Sequence, residues 1–279
     1  MKHLLFFSLL LLLALVTTQA QNKVKVADSD DSAFKVLDTI NYKCLYSYQH
    51  VKDSLNIESK KKASMLLLIG SKYTNFRNEY GYYIDSMRYL STKGLVSHEQ
   101  VNASFTQYTP GGPKYHILKN YTNQNTTILY PNTKGLWEAE ETVSMDWTLG
   151  EKTDSIAGYF CKVAYTKFGG REYTAWYTPD IAMPYGPYKF SGLPGIIVKI
   201  SDDQQSHVFE LESMQKIKFP LIEENKKSIN MTPKQLKKAM RNYQLGMIEK
   251  AKAWIKNDPE KVRKITKSIL SENNPIELQ

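Results

Sequence analysis

Between Trp147 and Met214 five short runs of strand-forming residues follow one another: Trp147–Leu149, Gly158–Phe168, Arg171–Thr178, Gly195–Ile200 and Val208–Met214. Turn-forming residues separate them at Gly169-Gly170, Pro179-Asp180, Gly186-Pro187 and Ser201-Asp202-Asp203. Short strands punctuated this regularly predict a mainly β (α+β) fold, built as a curved antiparallel sheet, a sandwich or an open barrel. Upstream, Ile40, Tyr42, Cys44, Tyr46 and Tyr48 alternate with more polar neighbours, the period of a half-buried strand. Ser64–Ile69 reads as a buried strand stopped at Gly70, with Lys72–Arg77 as its partner. Tyr115–Leu118 and Thr126–Tyr130 flank a polar loop as a hairpin, and Glu79–Leu90 carries a weaker helical pattern. Nineteen tyrosines suit pleated, half-buried surfaces. A charged content of 23% and a mean hydropathy of −0.46 exclude a multi-pass membrane protein and a disordered chain.

The first twenty residues stand apart from this pattern. Met1-Lys2-His3 is a basic start, Leu4–Val16 is apolar except for Ser8, and Thr17–Ala20 is a cleavage zone with Thr18 and Ala20 at its −3 and −1 positions. Residues 1–20 are expected to be a secretory signal peptide, too short for a stable bilayer anchor. Residues 21–34 then form a flexible leader, and the mature chain is expected in the periplasm or secreted, without a membrane span. Export makes Cys44 and Cys161, the two cysteines of the chain, candidates for a disulfide; two buried thiols are the alternative.

Charge is segregated. Residues 225–279 hold 13 Lys/Arg against 5 Asp/Glu, whereas residues 21–224 hold 23 of each sign. The boundary falls near Pro220, giving a β-rich domain over 35–220 and a basic helical tail over 225–279. Thr232 and Pro233 start a helix whose stripe is Leu236, Met240, Tyr243, Met247, Ala251 and Trp254; Asp258 and Pro259 start a shorter one. The stripe should bury against the sheet or a partner and leave the lysines outward, either to face an acidic surface or simply to make the tail a soluble basic cap on the sheet. In an exported protein that surface is a cell-envelope protein, a glycan or an anionic lipid layer rather than nucleic acid.

Chemistry is sparse. His50, His98, His116 and His207 form no metal-binding spacing, and the chain lacks a nucleophile elbow, a Walker loop and a dinucleotide fingerprint. No catalytic residue, metal site or cofactor is predicted. Asp202-Asp203 reads as a hairpin turn, and Glu138, Glu140, Glu141 and Asp146 as a solvated acidic face.

One segment is specific enough to carry a resemblance. It runs Ala157-Gly158-Tyr159-Phe160-Cys161, continues Gly170-Arg171-Glu172-Tyr173-Thr174-Ala175-Trp176-Tyr177-Thr178-Pro179-Asp180, and ends Gly186-Pro187-Tyr188-Lys189-Phe190-Ser191-Gly192-Leu193-Pro194-Gly195-Ile196-Ile197. It resembles the GLPGLI family of exported Bacteroidetes proteins of unknown function, with Ile196-Ile197 where the family has Leu-Ile. A similar module occurs as an amino-terminal, bowl-shaped β domain in some bacterial glycan-processing enzymes, so the resemblance implies binding or scaffolding.

Within the motif, Leu193-Pro194-Gly195-Ile196 reads as a type II turn. Alternation puts Arg171, Tyr173, Ala175 and Tyr177 on one face and Glu172, Thr174 and Trp176 on the other. Two uses of the motif stay open. In one it is a structural knot, with Arg171 bonding turn carbonyls. In the other it is a ligand cleft floored by Trp176 and Tyr177 and rimmed by Arg171 and Asp180. The resulting expectation is an exported β-rich binding or assembly module of the cell envelope; the alternative is a periplasmic hydrolase using carboxylates such as Glu172 and Asp180.

Overall fold

The computed structural model describes residues 33–107, 112–132, 135–255 and 257–278. The expected signal peptide and all but the end of the leader lie outside the described residues. Twelve strands form one sheet. They are β1 (Phe34–Asp53), β2 (Asn56–Ile69), β3 (Tyr73–Asn78), β4 (His116–Asn120), β5 (Asn125–Asn132) and β6 (Gly135–Thr142), then β7 (Thr148–Ile156), β8 (Tyr159–Phe168), β9 (Arg171–Thr178), β10 (Ile196–Asp202), β11 (His207–Glu224) and β12 (Ser228–Asn230). The helices are α1 (Glu79–Thr92), α2 (His98–Gln107), α3 (Pro233–Trp254) and α4 (Pro259–Leu270).

The strand order is β12-β6-β5-β4-β3-β2-β1-β11-β10-β9-β8-β7. Every pairing is antiparallel except β12 on β6. The sheet is open, since β12 and β7 are its two ends. It is also strongly curved. Tyr115, next to β4, and Phe168, at the end of β8, are seven strand positions apart, which a flat sheet would make ~34 Å. Both rings nevertheless contact Tyr188, at 6.0 and 6.4 Å between centroids. The sheet thus curls around the segment 179–195, whose Phe190 and Leu193 are buried at its centre with Tyr46, Tyr173, Ile197 and Phe209. Each such side chain taken from water contributes about 1.5–3 kcal/mol.

Period-two alternation decides what faces this concave side. On β1, Cys44, Tyr46 and Tyr48 point in, as expected. Leu66, Leu68, Ile40 and Leu221 face the other way and are covered by Tyr82 and Tyr83 of α1. That helix starts at Asn78, whose side chain accepts from the Gly81 amide. Of the acidic residues expected to be a solvated face, Glu140 and Asp146 are exposed, while Glu138, Glu140 and Glu141 all lie on strand β6. Its Leu136 and Ala139 are buried, and Glu141 contributes its carboxylate to an ion pair with Lys189.

The two cysteines do not form a disulfide. Both are free, buried thiols. Cys44 on β1 lies opposite Leu67 and Met214, and Cys161 on β8 opposite Asp154. Three strands, β11, β10 and β9, separate β1 from β8. That separation along the sheet far exceeds the ~4.4–6.8 Å between Cα atoms that a disulfide needs.

The tail joins the fold in three ways. Ser228–Asn230 adds β12 to the sheet edge. The Thr232 hydroxyl and the Gln235 side chain form a capping box at the start of α3, with Pro233 in its first turn. Leu236, Met240 and Tyr243 then pack on Tyr130, Trp137 and Ala139. The expected stripe is therefore covered only in its first half: Met247 is 41% and Trp254 85% exposed. After α4, residues 272–278 leave the helix and run across the sheet. No helix among the described residues is long and apolar enough to cross a membrane.

Candidate functional site

Strand β9 directs its side chains as its alternation predicts. Arg171, Tyr173 and Tyr177 are buried, Glu172 is exposed and Trp176 is half-buried. Tyr177 belongs to the core and Trp176 packs at its margin. Asp180 lies exposed in the turn after β9, its amide donating to Thr178 Oγ1. The carboxylate beside Arg171 is Asp202, not Asp180: Arg171 Nη1 donates to Asp202 Oδ2 at 2.9 Å. Glu172, the other carboxylate considered for hydrolysis, is exposed and paired with Lys167 at 2.7 Å.

The motif residues build the loop that fills the bowl. The Phe190 amide donates to Pro187 O, the Gly192 amide to Pro184 O and the Ile197 amide to Tyr185 O. Leu193-Pro194-Gly195 is a three-residue turn rather than type II. The Gly195 amide donates to Leu193 O at 2.8 Å, while the Ile196 amide goes to Ile181 O. Gly195 is required for contact: a Cβ there would stand 2.1 Å from the carbonyl oxygen of Thr178. Gly186 likewise leaves room for Ile197.

Across this loop and the start of β9 lies the segment Asn273–Leu278, and the site is the cradle that holds it. Arg171 Nη2 donates to Asn274 Oδ1 at 2.5 Å and to the carbonyl of Pro275 at 2.9 Å. Tyr173 donates its hydroxyl to the carbonyl of Ile276, and Lys237 Nζ reaches the carbonyl of Glu277. The Asn273 amide donates to Lys52 O and the Leu278 amide to Gly169 O. Ile276 is buried among the core residues. The Glu277 carboxylate accepts from Tyr188 and, at 2.5 Å, from Lys189. Lys189 is itself 3% exposed and also paired with Glu141.

Electrostatics follow from burial. Tyr188 is pushed far above its usual ionisation range by burial and then by the neighbouring Glu277. Tyr173 is raised by burial and then by Asp202. Both stay protonated as hydrogen-bond donors. His207 is held down to about 3 by burial, by Arg171 and by His50, so its ring is neutral, with Nδ1 2.8 Å from the Tyr48 hydroxyl. The ring also meets the backbone of Pro275 and Asn274, which favours the cation but is outweighed by burial, Arg171 and His50. Two buried cations, Arg171 and Lys189, thus meet three carboxylates, those of Asp202, Glu141 and Glu277, in ion pairs. Among the described residues no group of three or more His, Cys, Asp or Glu is placed to hold a metal ion. The arrangement is suited to gripping a polypeptide through main-chain carbonyls and one carboxylate.

Sequence reasoning singled out Arg171 but missed Asp202, Lys189, Tyr188 and the segment that meets them. The available signal was Ile276, an isolated apolar residue in a polar stretch after the last helix.

The fold and cradle define a class: an open, curved antiparallel sheet wrapped around an inserted loop and a bound segment. A family model described as a protein of unknown function (Porph_ging) matches residues 166–199, which cover the end of β8, β9, the loop and the start of β10. No curated protein is significantly similar to the chain. Among solved structures, one described as "Structure of PNGF-II in P21 space group" is similar over 72% of this chain and 33% of that one, at 16% identity and a TM-score of 0.48. A second, "Structure of PNGF-II in C2 space group", gives 72% and 32%, 17% identity and 0.48. The chain spans about a third of the length of those structures.

Proposed function

We propose that this chain is an exported binding or assembly module of the cell envelope, of the GLPGLI type that its 157–197 segment resembles. The observation that carries this reading is the cradle: buried charged and aromatic donors, already ordered by the fold, close on a stretch of chain. Preordered donors of this kind favour binding because little ordering cost remains. In this reading Arg171 is the recognition residue, Tyr177 supports it from the core, and Trp176 and Asp180 supply contacts at the outer end of the same strand and turn. The basic helices α3 and α4, with Trp254 exposed, offer a cationic surface to acidic envelope components.

The test is fractionation of producing cells combined with photo-crosslinking from position 180. A mature chain starting at Gln21, found in the envelope or medium and giving a discrete crosslinked species, is the expected result. An uncleaved cytoplasmic chain with no crosslinked species overturns the reading.

A further inference from the structure

The cradle is built to hold polypeptide, and what fills it is one short stretch of the same chain. Three successive carbonyls, those of Pro275, Ile276 and Glu277, accept from Arg171, Tyr173 and Lys237. Amides at either end, of Asn273 and Leu278, donate to carbonyls of Lys52 and Gly169. Contacts to main-chain carbonyls hold a segment whatever its sequence, while side-chain pockets choose among sequences. The choosing contacts are an amide at 274 against Arg171, an apolar side chain at 276 in the core, and a carboxylate at 277 against Lys189 and Tyr188. Gly169 adds a steric condition, because a Cβ there would come within 2.8–3.0 Å of Glu277.

The donors do not depend on this segment for their positions. Arg171 is fixed by Asp202, and Lys189 by Glu141. Tyr188 is fixed by Tyr115, Phe168 and Phe190, and Tyr173 by Phe190. The segment, by contrast, is held mainly by polar contacts, among them Asn273 with the Ser54 amide and Asp53, and Asn274 with the carbonyl of Val51. Ile276 is its one buried side chain, and α4, which leads into it, buries none. Segments with few buried apolar contacts open at the low end of the local-stability range.

We propose that the cradle is a peptide-binding site occupied in cis by residues 273–278, and that it accepts in trans a polypeptide segment with an amide side chain, then an apolar residue and a carboxylate two and three positions later. This rests on reading the chain as a binding module and names the ligand class of that site. The trans segment comes either from a second copy of this chain, exchanging its own 273–278, or from another protein with the same pattern. Tethering sets the competition: a short connection gives the cis segment a millimolar effective concentration, so a free peptide of micromolar Kd would bind the closed protein about a thousandfold more weakly than the open one.

The experiment titrates a labelled peptide of sequence Ser-Glu-Asn-Asn-Pro-Ile-Glu-Leu into the full chain and into the full-length double variant Ile276→Asp, Glu277→Lys. The variant loses the cis apolar contact and places a cation against Lys189, leaving the cradle residues untouched. The expected result is saturable binding to the variant, at least about tenfold tighter than to the wild type. That binding should disappear when the paired change Arg171→Met, Asp202→Leu, which leaves no orphaned buried charge, is added to a variant that still folds, or when the peptide carries Lys in place of its second Glu. A folded variant that takes up no peptide, or takes up the Lys peptide equally well, overturns the proposal. If the double variant does not fold, Glu277→Ala in the full chain is read by the same criteria.

Light scattering of the wild type at rising concentration separates the two sources. A dimer that disappears in the double variant identifies a second copy; a monomer throughout, together with peptide binding, identifies another protein. Peptide failure alongside a crosslinked envelope species from position 180 would sink this inference and leave the binding-module reading standing.

Discussion

Arg171 and Asp202 are buried as a pair, with 5% and 0% of their side chains exposed and 2.9 Å between Nη1 and Oδ2. Asp202 Oδ1 also accepts from the His207 amide at 2.7 Å, which ties the β10–β11 turn to β9. Removing one member of such a pair leaves an uncompensated buried charge. Asp202→Ala is therefore expected to cost about 3–5 kcal/mol in urea unfolding. The double change Arg171→Met, Asp202→Leu should recover a substantial part of that loss. Equal destabilisation by the single and double changes would show that the pair matters only through its other contacts.

Two glycines of the motif region give a sharp contrast. Gly195→Ala drives a Cβ to 2.1 Å from a backbone carbonyl, which no rotamer relieves. Gly158, at φ +82°, has nothing within 4 Å of the same position. Gly158→Ala should therefore cost about 1–2 kcal/mol, the left-handed backbone penalty alone. Gly195→Ala should abolish accumulation of folded protein or lower its unfolding midpoint far more. Thermal melts of the two variants side by side decide this.

Strands and helix starts were legible because they depend on local pattern. The alternation of Cys44–Tyr48, the hairpin at 116–132 and the Thr232-Pro233 start all have local causes, and all appear in the structure; Ile40, expected on the same face, is turned to the other by a register shift before Tyr42. Less legible were features set by distant residues. Asp202 reads as a turn residue until β9 brings Arg171 against it. Glu141 reads as solvated until Lys189 arrives from the loop. The type II turn expected at Leu193–Ile196 fails because the Ile196 amide is taken by Ile181, fifteen residues earlier in the chain. The cysteine pairing fails for a related reason, since both residues are inward-facing by pattern but strand order alone decides their separation.

The thiols should behave accordingly. Cys44 is fully buried, and burial pushes its thiol up to about 12; Cys161 is raised in the same direction, again by burial first. Thiolate is the reacting form, so neither residue should be alkylated in the native protein at neutral pH. Mass spectrometry after iodoacetamide treatment should show no adduct on native protein. Two should appear after denaturation without reductant. A single species that takes up label only after reduction would contradict the free-thiol arrangement.

Stability should also fall on the acid side of neutrality, through His207. The folded-state value is about 3, against 6.5 for an ordinary histidine, because burial, Arg171 and His50 all disfavour the cation. His50 is lowered too, chiefly by burial. A group depressed on folding contributes fully above its unfolded value. It loses that contribution as pH falls toward its folded value, because the unfolded chain takes up the proton first. The window is therefore from about pH 6.5 down toward 3, and by pH 5 the loss due to His207 is about 2 kcal/mol. His207→Gln can keep a hydrogen bond to Tyr48 but cannot titrate. Urea midpoints at pH 8 and pH 5 should differ clearly in the wild type and by much less in the variant. Some acid sensitivity should persist in both, because Glu223 is depressed as well: burial raises it, but His116, Arg77 and Asn75 outweigh that effect. Parallel pH profiles for the two proteins would mean that His207 is not the buried neutral group whose protonation causes the loss.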